Sequence, residues 1–188
     1  MTLYRPAVFL DRDGVLNRTE VIDGKPYAPR QLAHFRLLPK ARSSVARLKQ
    51  AGFQVIVVTN QPDIGNGQVD PAEVEAMHLR LRQRVPVDDI RMCPHRQTDG
   101  CQCRKPRPGM LLDAARDLAL DLSRSFMVGD RPGDIVAGSA AGCHTIFVSR
   151  GYRERLESPA DAVVGSLAAA VEHILAITSG AQGGRVIR

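Results

Sequence analysis

Tryptophan is absent from the 188 residues, and five phenylalanines and three tyrosines bring aromatics to only 4%. Stacking platforms of the kind that hold single-stranded nucleic acid have almost nothing to be built from. No stretch approaches the ~20 consecutive apolar residues that cross a bilayer, so no membrane partner is expected. Charges of one sign do not run in blocks. Lys and Arg number 26 against 20 Asp and Glu, scattered singly, for a net +6. An excess of that size suits a phosphate-handling enzyme as well as a nucleic-acid binder. Little chain precedes the first apolar run at Ala7, which leaves no room for a secretory leader and sets a cytoplasmic expectation. Cysteines number only four. In a reducing compartment, clustered cysteines read as a metal site before they read as disulfides.

What is present alternates. Ala7 to Leu10, Gln54 to Thr59, Ser125 to Gly129 and Cys143 to Val148 are short, nearly continuous apolar runs, and Asp89 to Met92 and Ala162 to Val164 are weaker ones. Continuous hydrophobicity fits strands buried on both faces of a parallel sheet. Between them lie helical patterns. Lys40 to Ala51 carries Ala41, Val45 and Leu48 on one stripe and stops at Gly52. A second helix opens on Asp70 and Pro71, with Glu73 expected to complete a capping box and Val74, Met77 and Leu81 to face inward. Pro108 to Leu120 would bury Leu111, Ala115 and Leu118. Pro132 to Ala141 and Ser166 to Ile177 complete the set, the last burying Leu167, Val171 and Ile174. The fold class is therefore α/β, a doubly wound, mostly parallel Rossmann-like sheet with right-handed crossovers. A single domain over residues 1–178 and a flexible Gly-rich tail over 179–188 are expected. Residues 14–39 lack a convincing helix and read as a flap over the site, with no large cap.

Ligands in such sheets sit beyond the carboxyl ends of the strands. The first strand runs straight into Asp11-Arg12-Asp13-Gly14, two carboxylates whose repulsion a divalent cation would offset. The second ends in Thr59-Asn60. The fourth ends in Gly129-Asp130, with Asp134 one helical turn on, and Lys105 leads into the helix before it. Separately, Cys93-x-His95 and Cys101-x-Cys103 place three thiols and an imidazole within eleven residues. That is the ligand set of a closed structural zinc site. Cys143 reads as a core filler, and His34, His78, His144 and His173 are given no partners.

Asp11-Arg12-Asp13-Gly14-Val15-Leu16-Asn17, Thr59-Asn60-Gln61, Cys103-Arg104-Lys105-Pro106 and Gly129-Asp130-x-x-x-Asp134 resemble the four motifs of the haloacid dehalogenase superfamily. With the cysteine cluster, the set is most similar to the heptose 1,7-bisphosphate phosphatases, whose close relatives are the histidinol-phosphate phosphatases. The resemblance implies a haloacid dehalogenase type of sheet and a Mg²⁺-dependent phosphatase working through an aspartyl-phosphate. Asp11 would be the nucleophile and Asp13 the general acid and base. Mg²⁺ would sit on Asp11, Asp13 through its carbonyl, and Asp130, with Asp134 behind it or positioning Lys105. Thr59 and Lys105 would hold the phosphoryl oxygens, and Arg12, Asn60, Gln61, Arg104 and Arg131 would meet substrate. Zn²⁺ would be structural. The implied partner is a small sugar bisphosphate, dephosphorylated at its 7-position by a monomer, with histidinol phosphate as the alternative substrate. A zinc-loop nucleic-acid module is the remote one. After Gln61, Asp63 and Asn66 stand where that family has small neutral and basic residues.

Overall fold

The computed structural model describes residues 4–156 and 158–182. Its first half contains β1 (Ala7–Leu10), the short strands β2 (Glu20–Ile22) and β3 (Lys25–Tyr27), α1 (Ala41–Gln50), β4 (Gln54–Asn60), α2 (Pro62–Gly65) and α3 (Pro71–Arg84). The second half contains β5 (Asp89–Cys93), α4 (Gly109–Leu118), β6 (Phe126–Gly129), α5 (Pro132–Ala140), β7 (His144–Val148), β8 (Ala162–Val164) and α6 (Leu167–Gln182). Six strands form one parallel sheet in the order β5-β4-β1-β6-β7-β8. All six expected strands are present. The expected flap is an antiparallel hairpin of β2 and β3, apart from the main sheet.

Alternation along the strands feeds two cores. Val8 and Leu10 of β1 and Val55 and Val57 of β4 pack with α1, α3 and α6, while Ala7, Phe9, Ile56 and Val58 pack with α4 and α5. Each fully buried Val, Leu or Ile contributes roughly 1.5–3 kcal/mol of transfer free energy, so both faces hold the sheet strongly. β1 lies between β4 and β6, and the chain leaves β1 for one side and later returns on the other. That reversal opens a crevice beyond the carboxyl ends of these three strands.

Three local expectations need correcting. Glu73 does not complete a capping box: Asp70 accepts from Ala72 N at 2.8 Å, while Glu73 Oε2 reaches across to the flap and accepts from Leu32 N at 2.6 Å. Leu118 is exposed, because α4 turns Met110, Leu111, Ala114 and Ala115 inward and ends there. The last helix runs to Gln182, so the first four residues of the expected tail are helical; residues 183–188 lie outside the described residues.

Candidate active site

Asp11 leaves β1 still bonded to β6, its N donating to Val128 O at 2.9 Å. The chain then turns sharply at Gly14, whose φ is +84°. A Cβ there would lie 1.7 Å from Asp130 Oδ2, so glycine is needed for both its conformation and its absence of bulk. Gly129 is needed for its lack of bulk alone: a Cβ would stand 2.2 Å from the Asp134 carboxylate.

These close approaches gather the acids. Asp11, Asp130 and Asp134 offer oxygens that all lie within 4.8 Å of one another. Lys105 Nζ is buried among them, 2.8 Å from Asp11 Oδ1, 2.6 Å from Asp134 Oδ1 and 2.7 Å from Val58 O. One ammonium does not neutralise three buried carboxylates. Burial pushes Asp11 up to about 7, with Lys105 pulling down and Asp134 and Asp13 adding to the rise. Burial, then Asp11 and Asp134, hold Asp130 well above the usual carboxylate range. For Lys105, burial alone would lower the pKa, but Asp11 and Asp134 outweigh it and raise it. Asp130 Oδ1 is buried with no hydrogen-bond partner among the described residues. A hard divalent cation fits this donor set: it prefers carboxylate oxygens and would occupy the partnerless one.

Asp13 is gripped rather than free. Its carboxylate accepts from Arg12 Nη2 at 3.0 Å, Asn17 Nδ2 at 2.8 Å and Gln61 Nε2 at 2.7 Å. Arg12 was expected to meet substrate, and here the structure differs. Its side chain is fully buried, turned back onto Asp13, 3.1 Å from His78 Nε2 and 5.8 Å over the Phe35 ring. A guanidinium only donates, so His78 must accept through Nε2. Burial and then the Arg12 charge push His78 down to about 4, which keeps the ring neutral at pH 7. Nothing local marks His78 in the sequence, since its partner is 66 residues away.

The second strand end is also partly inward. Thr59 is buried and accepts from Gln61 Nε2 at 2.8 Å; it does not line the cleft. The Asn60 amide is spent on the Lys105 backbone, donating to its O at 3.0 Å and accepting from its N at 3.1 Å. Asn60 thus positions Lys105.

Above the acids lies a cleft of about 700 Å³, walled by the flap residues Lys25, Pro26 and Tyr27 and by Gln97 and Arg155. Arg104 lines it too, with Nη1 buried and partnerless among the described residues. Arg131 reaches the cleft but is engaged by Glu154. Asp63 also lines the cleft and accepts from Arg30 Nε at 2.8 Å, so its charge is paired.

The loop that carries the cysteine cluster contributes Gln97 to the cleft wall, and Arg104 follows its last cysteine. Cys93 Sγ lies 3.6 Å from His95 Nδ1 and from Cys101 Sγ, Cys103 Sγ is 3.6 Å from Cys101 Sγ, and His95 Nδ1 is 3.2 Å from Cys103 Sγ. Tetrahedral zinc with bonds of about 2.0–2.3 Å requires ligand separations of about 3.3–3.8 Å. Three of these separations fall in that range and the fourth lies just below it, so the cluster is compatible with such an ion. Burial pushes the Cys93 thiol up to about 12, so binding there would release its proton. Cys93 O accepts from Gln61 N at 2.8 Å, and Arg96 Nε donates to Gly65 O at 2.7 Å. The loop is therefore joined to the strand end that carries Gln61.

A HAD-hydrolase-like family model matches residues 102–170. The chain is 42% identical over 154 residues to the D-glycero-beta-D-manno-heptose-1,7-bisphosphate 7-phosphatase of Pseudomonas aeruginosa, covering 79% of this chain and 84% of that one. It is 37% identical over 178 residues to the protein of the same name from Escherichia coli K12, covering 87% and 90%. Among solved structures, D,D-heptose 1,7-bisphosphate phosphatase from B. bronchiseptica, complexed with magnesium and phosphate, superposes with a TM-score of 0.80 at 37% identity, covering 92% of this chain and 99% of that one.

Proposed function

The chain belongs to the D-glycero-beta-D-manno-heptose-1,7-bisphosphate 7-phosphatase family of haloacid dehalogenase-like hydrolases, and from that membership and the geometry of the cleft we propose that it removes the 7-phosphate of this sugar bisphosphate. The observation that carries the reading is the Asp11–Lys105–Asp134 constellation beside an Asp130 oxygen without a partner among the described residues, with Arg104, whose Nη1 likewise has none among them, lining the same cleft. One end suits a phosphoryl group under attack. Arg104 suits a second anionic group on the same small molecule.

Asp11 attacks phosphorus through a carboxylate oxygen, the ester oxygen departs, and an aspartyl-phosphate remains. Lys105 neutralises charge on the phosphoryl oxygens and orients Asp11. In its protonated form Asp13 gives a proton to the leaving oxygen, and the carboxylate that results takes one from the water that cleaves the acyl phosphate, restoring the protonated form. Arg12, Asn17 and Gln61 fix the Asp13 carboxylate for both tasks. Asp11, Asp130 and the Asp13 carbonyl would hold Mg²⁺, with Asp134 positioning Lys105. Bound there, the metal supplies charge neutralisation to the transferring phosphoryl group. No second chain is needed to complete this set, so a monomer suffices.

Release of phosphate from a panel of heptose 1,7-bisphosphate, other sugar bisphosphates and histidinol phosphate tests the reading. The heptose compound is expected to lead in kcat/KM by about tenfold or more, with its 1-phosphate retained. Preference for histidinol phosphate would overturn the assignment.

We further propose that Cys93, His95, Cys101 and Cys103 hold a structural Zn²⁺, which is also what a reducing cytoplasm would preserve. Metal analysis of protein purified without added zinc should give about one Zn per chain, released by chelator only on unfolding. Zinc-free protein of unchanged Tm would contradict it.

A further inference from the structure

Tyr152 follows Gly151 in the loop after β7, and none of the steps above uses it. Its hydroxyl lies 2.9 Å from Asp130 Oδ2 and 3.1 Å from Thr19 Oγ1. With Asp130 ionised, the form that ligates a cation, its carboxylate only accepts, so the phenol proton goes to Asp130 and the phenol oxygen is left to accept from Thr19. The direction of both bonds is thereby fixed, running from the residue before the flap hairpin, through the loop, to the end of β6.

The two oxygens of Asp130 then become unequal. Oδ2 is occupied by Tyr152, while Oδ1 is buried and partnerless among the described residues. Any rotation of the carboxylate short of a half-turn would forfeit the Tyr152 bond, so its plane is held and one oxygen stays buried and free to ligate. The surroundings are tight: a Cβ on Gly14 would come within 3.0 Å of the Tyr152 hydroxyl as well as striking Asp130. Two further bonds stitch the loop in place. Arg150 Nε donates to Gly14 O at 2.8 Å, and Arg153 N donates to Gly24 O at 3.0 Å. The tyrosine is thus anchored from the nucleophile's turn on one side and the hairpin's turn on the other.

We propose that Tyr152 is a positioning residue for the magnesium site, holding Asp130 with Oδ1 toward the cation and linking that orientation to the flap through Thr19. The inference rests on reading the carboxylate cluster as that site. Groups that hydrogen-bond metal ligands typically change metal affinity by about 10–100-fold when removed.

The experiment is calorimetric titration of Mg²⁺ into the substrate-free, full-length protein. Tyr152→Phe deletes one oxygen and keeps the ring, and its Mg²⁺ Kd is expected to rise roughly tenfold. Its kcat at saturating Mg²⁺ should stay within about twofold of the unaltered protein, so the loss appears at limiting metal only. Thr19→Val should raise the Kd by a smaller factor, and it remains informative if the phenylalanine variant does not fold. Tyr152→Phe with unchanged Mg²⁺ affinity would overturn the proposal, even if its Tm fell. So would an unchanged Thr19→Val if it alone folds. Failure of the unaltered protein to bind Mg²⁺ at all would remove the metal reading and this inference together, whereas a substrate panel favouring another phosphate ester would leave both standing.

Discussion

Asp11→Asn is expected to lose turnover by roughly 10³-fold or more while remaining folded, because the amide cannot form the acyl phosphate. Its stability should move the other way. An unfolded Asp ionises near 3.8, whereas burial raises Asp11 in the fold to about 7, against the downward pull of Lys105. Between those values the unfolded chain has given up a proton that the native chain keeps, so native stability falls as pH rises through this window and stays lower above it. The asparagine variant escapes that loss. In Mg²⁺-free buffer its Tm should equal or exceed that of the unaltered protein, with the difference growing from about pH 4 to 7. A comparison of melting curves across that range, beside phosphate release with Mg²⁺ present, checks both halves. Retention of more than a few per cent of the rate would remove Asp11 as nucleophile.

Lys105→Met should damage both activity and stability. Among the described residues the ammonium is the one cation bonded to both Asp11 and Asp134, and its side chain is only 3% exposed. Removing one partner from a buried charge pair leaves the others uncompensated, at a cost of about 3–5 kcal/mol. Burial opposes the lysine's charge, but its two acids raise its pKa above the ordinary 10.5. The charged form therefore stabilises the native chain at every pH below that ordinary value, losing its effect only as pH climbs through the higher folded value. Denaturant unfolding at pH 7 without metal should reveal the full loss. Mg²⁺ should narrow the gap, since a divalent cation supplies the missing countercharge. Turnover should fall by roughly 10²–10³-fold, the scale for losing one charge-stabilising donor. Unchanged stability in the Mg²⁺-free protein would mean that Lys105 does not hold the cluster together.

The sheet and the gathering of acids were legible because both depend on local signals. Continuous apolar runs mark strands buried on two faces, and Asp11, Thr59, Lys105 and Asp130 each stand where such a run or its connection ends. The gathering of Cys93, His95, Cys101 and Cys103 was legible for the same reason, the four being crowded within eleven residues. What escaped were choices made by distant partners. Arg12 sits between two acids in a turn, which reads as a side chain facing ligand. His78 from α3 and the Phe35 ring draw it into the interior. Glu73 has the spacing of a capping residue, yet Leu32 N of the flap competes for it. Tyr152 is an isolated aromatic with no periodic context, and only the 133-residue separation closed by Thr19 reveals its place. Asp63 stands where the family has a small neutral residue, and its pairing with Arg30, 33 residues away, has no local signal.

Phosphate is expected to pass through Asp11 as an acyl phosphate. Enzyme quenched in acid during turnover of heptose 1,7-bisphosphate, digested and weighed by mass spectrometry, tests it most directly, and Asp13→Asn should enrich the intermediate by slowing its hydrolysis. The expected result is one phosphoryl group on the peptide containing Asp11, absent from Asp11→Asn. Steady turnover with no phosphoryl group on that peptide in either the unaltered protein or Asp13→Asn would contradict the account.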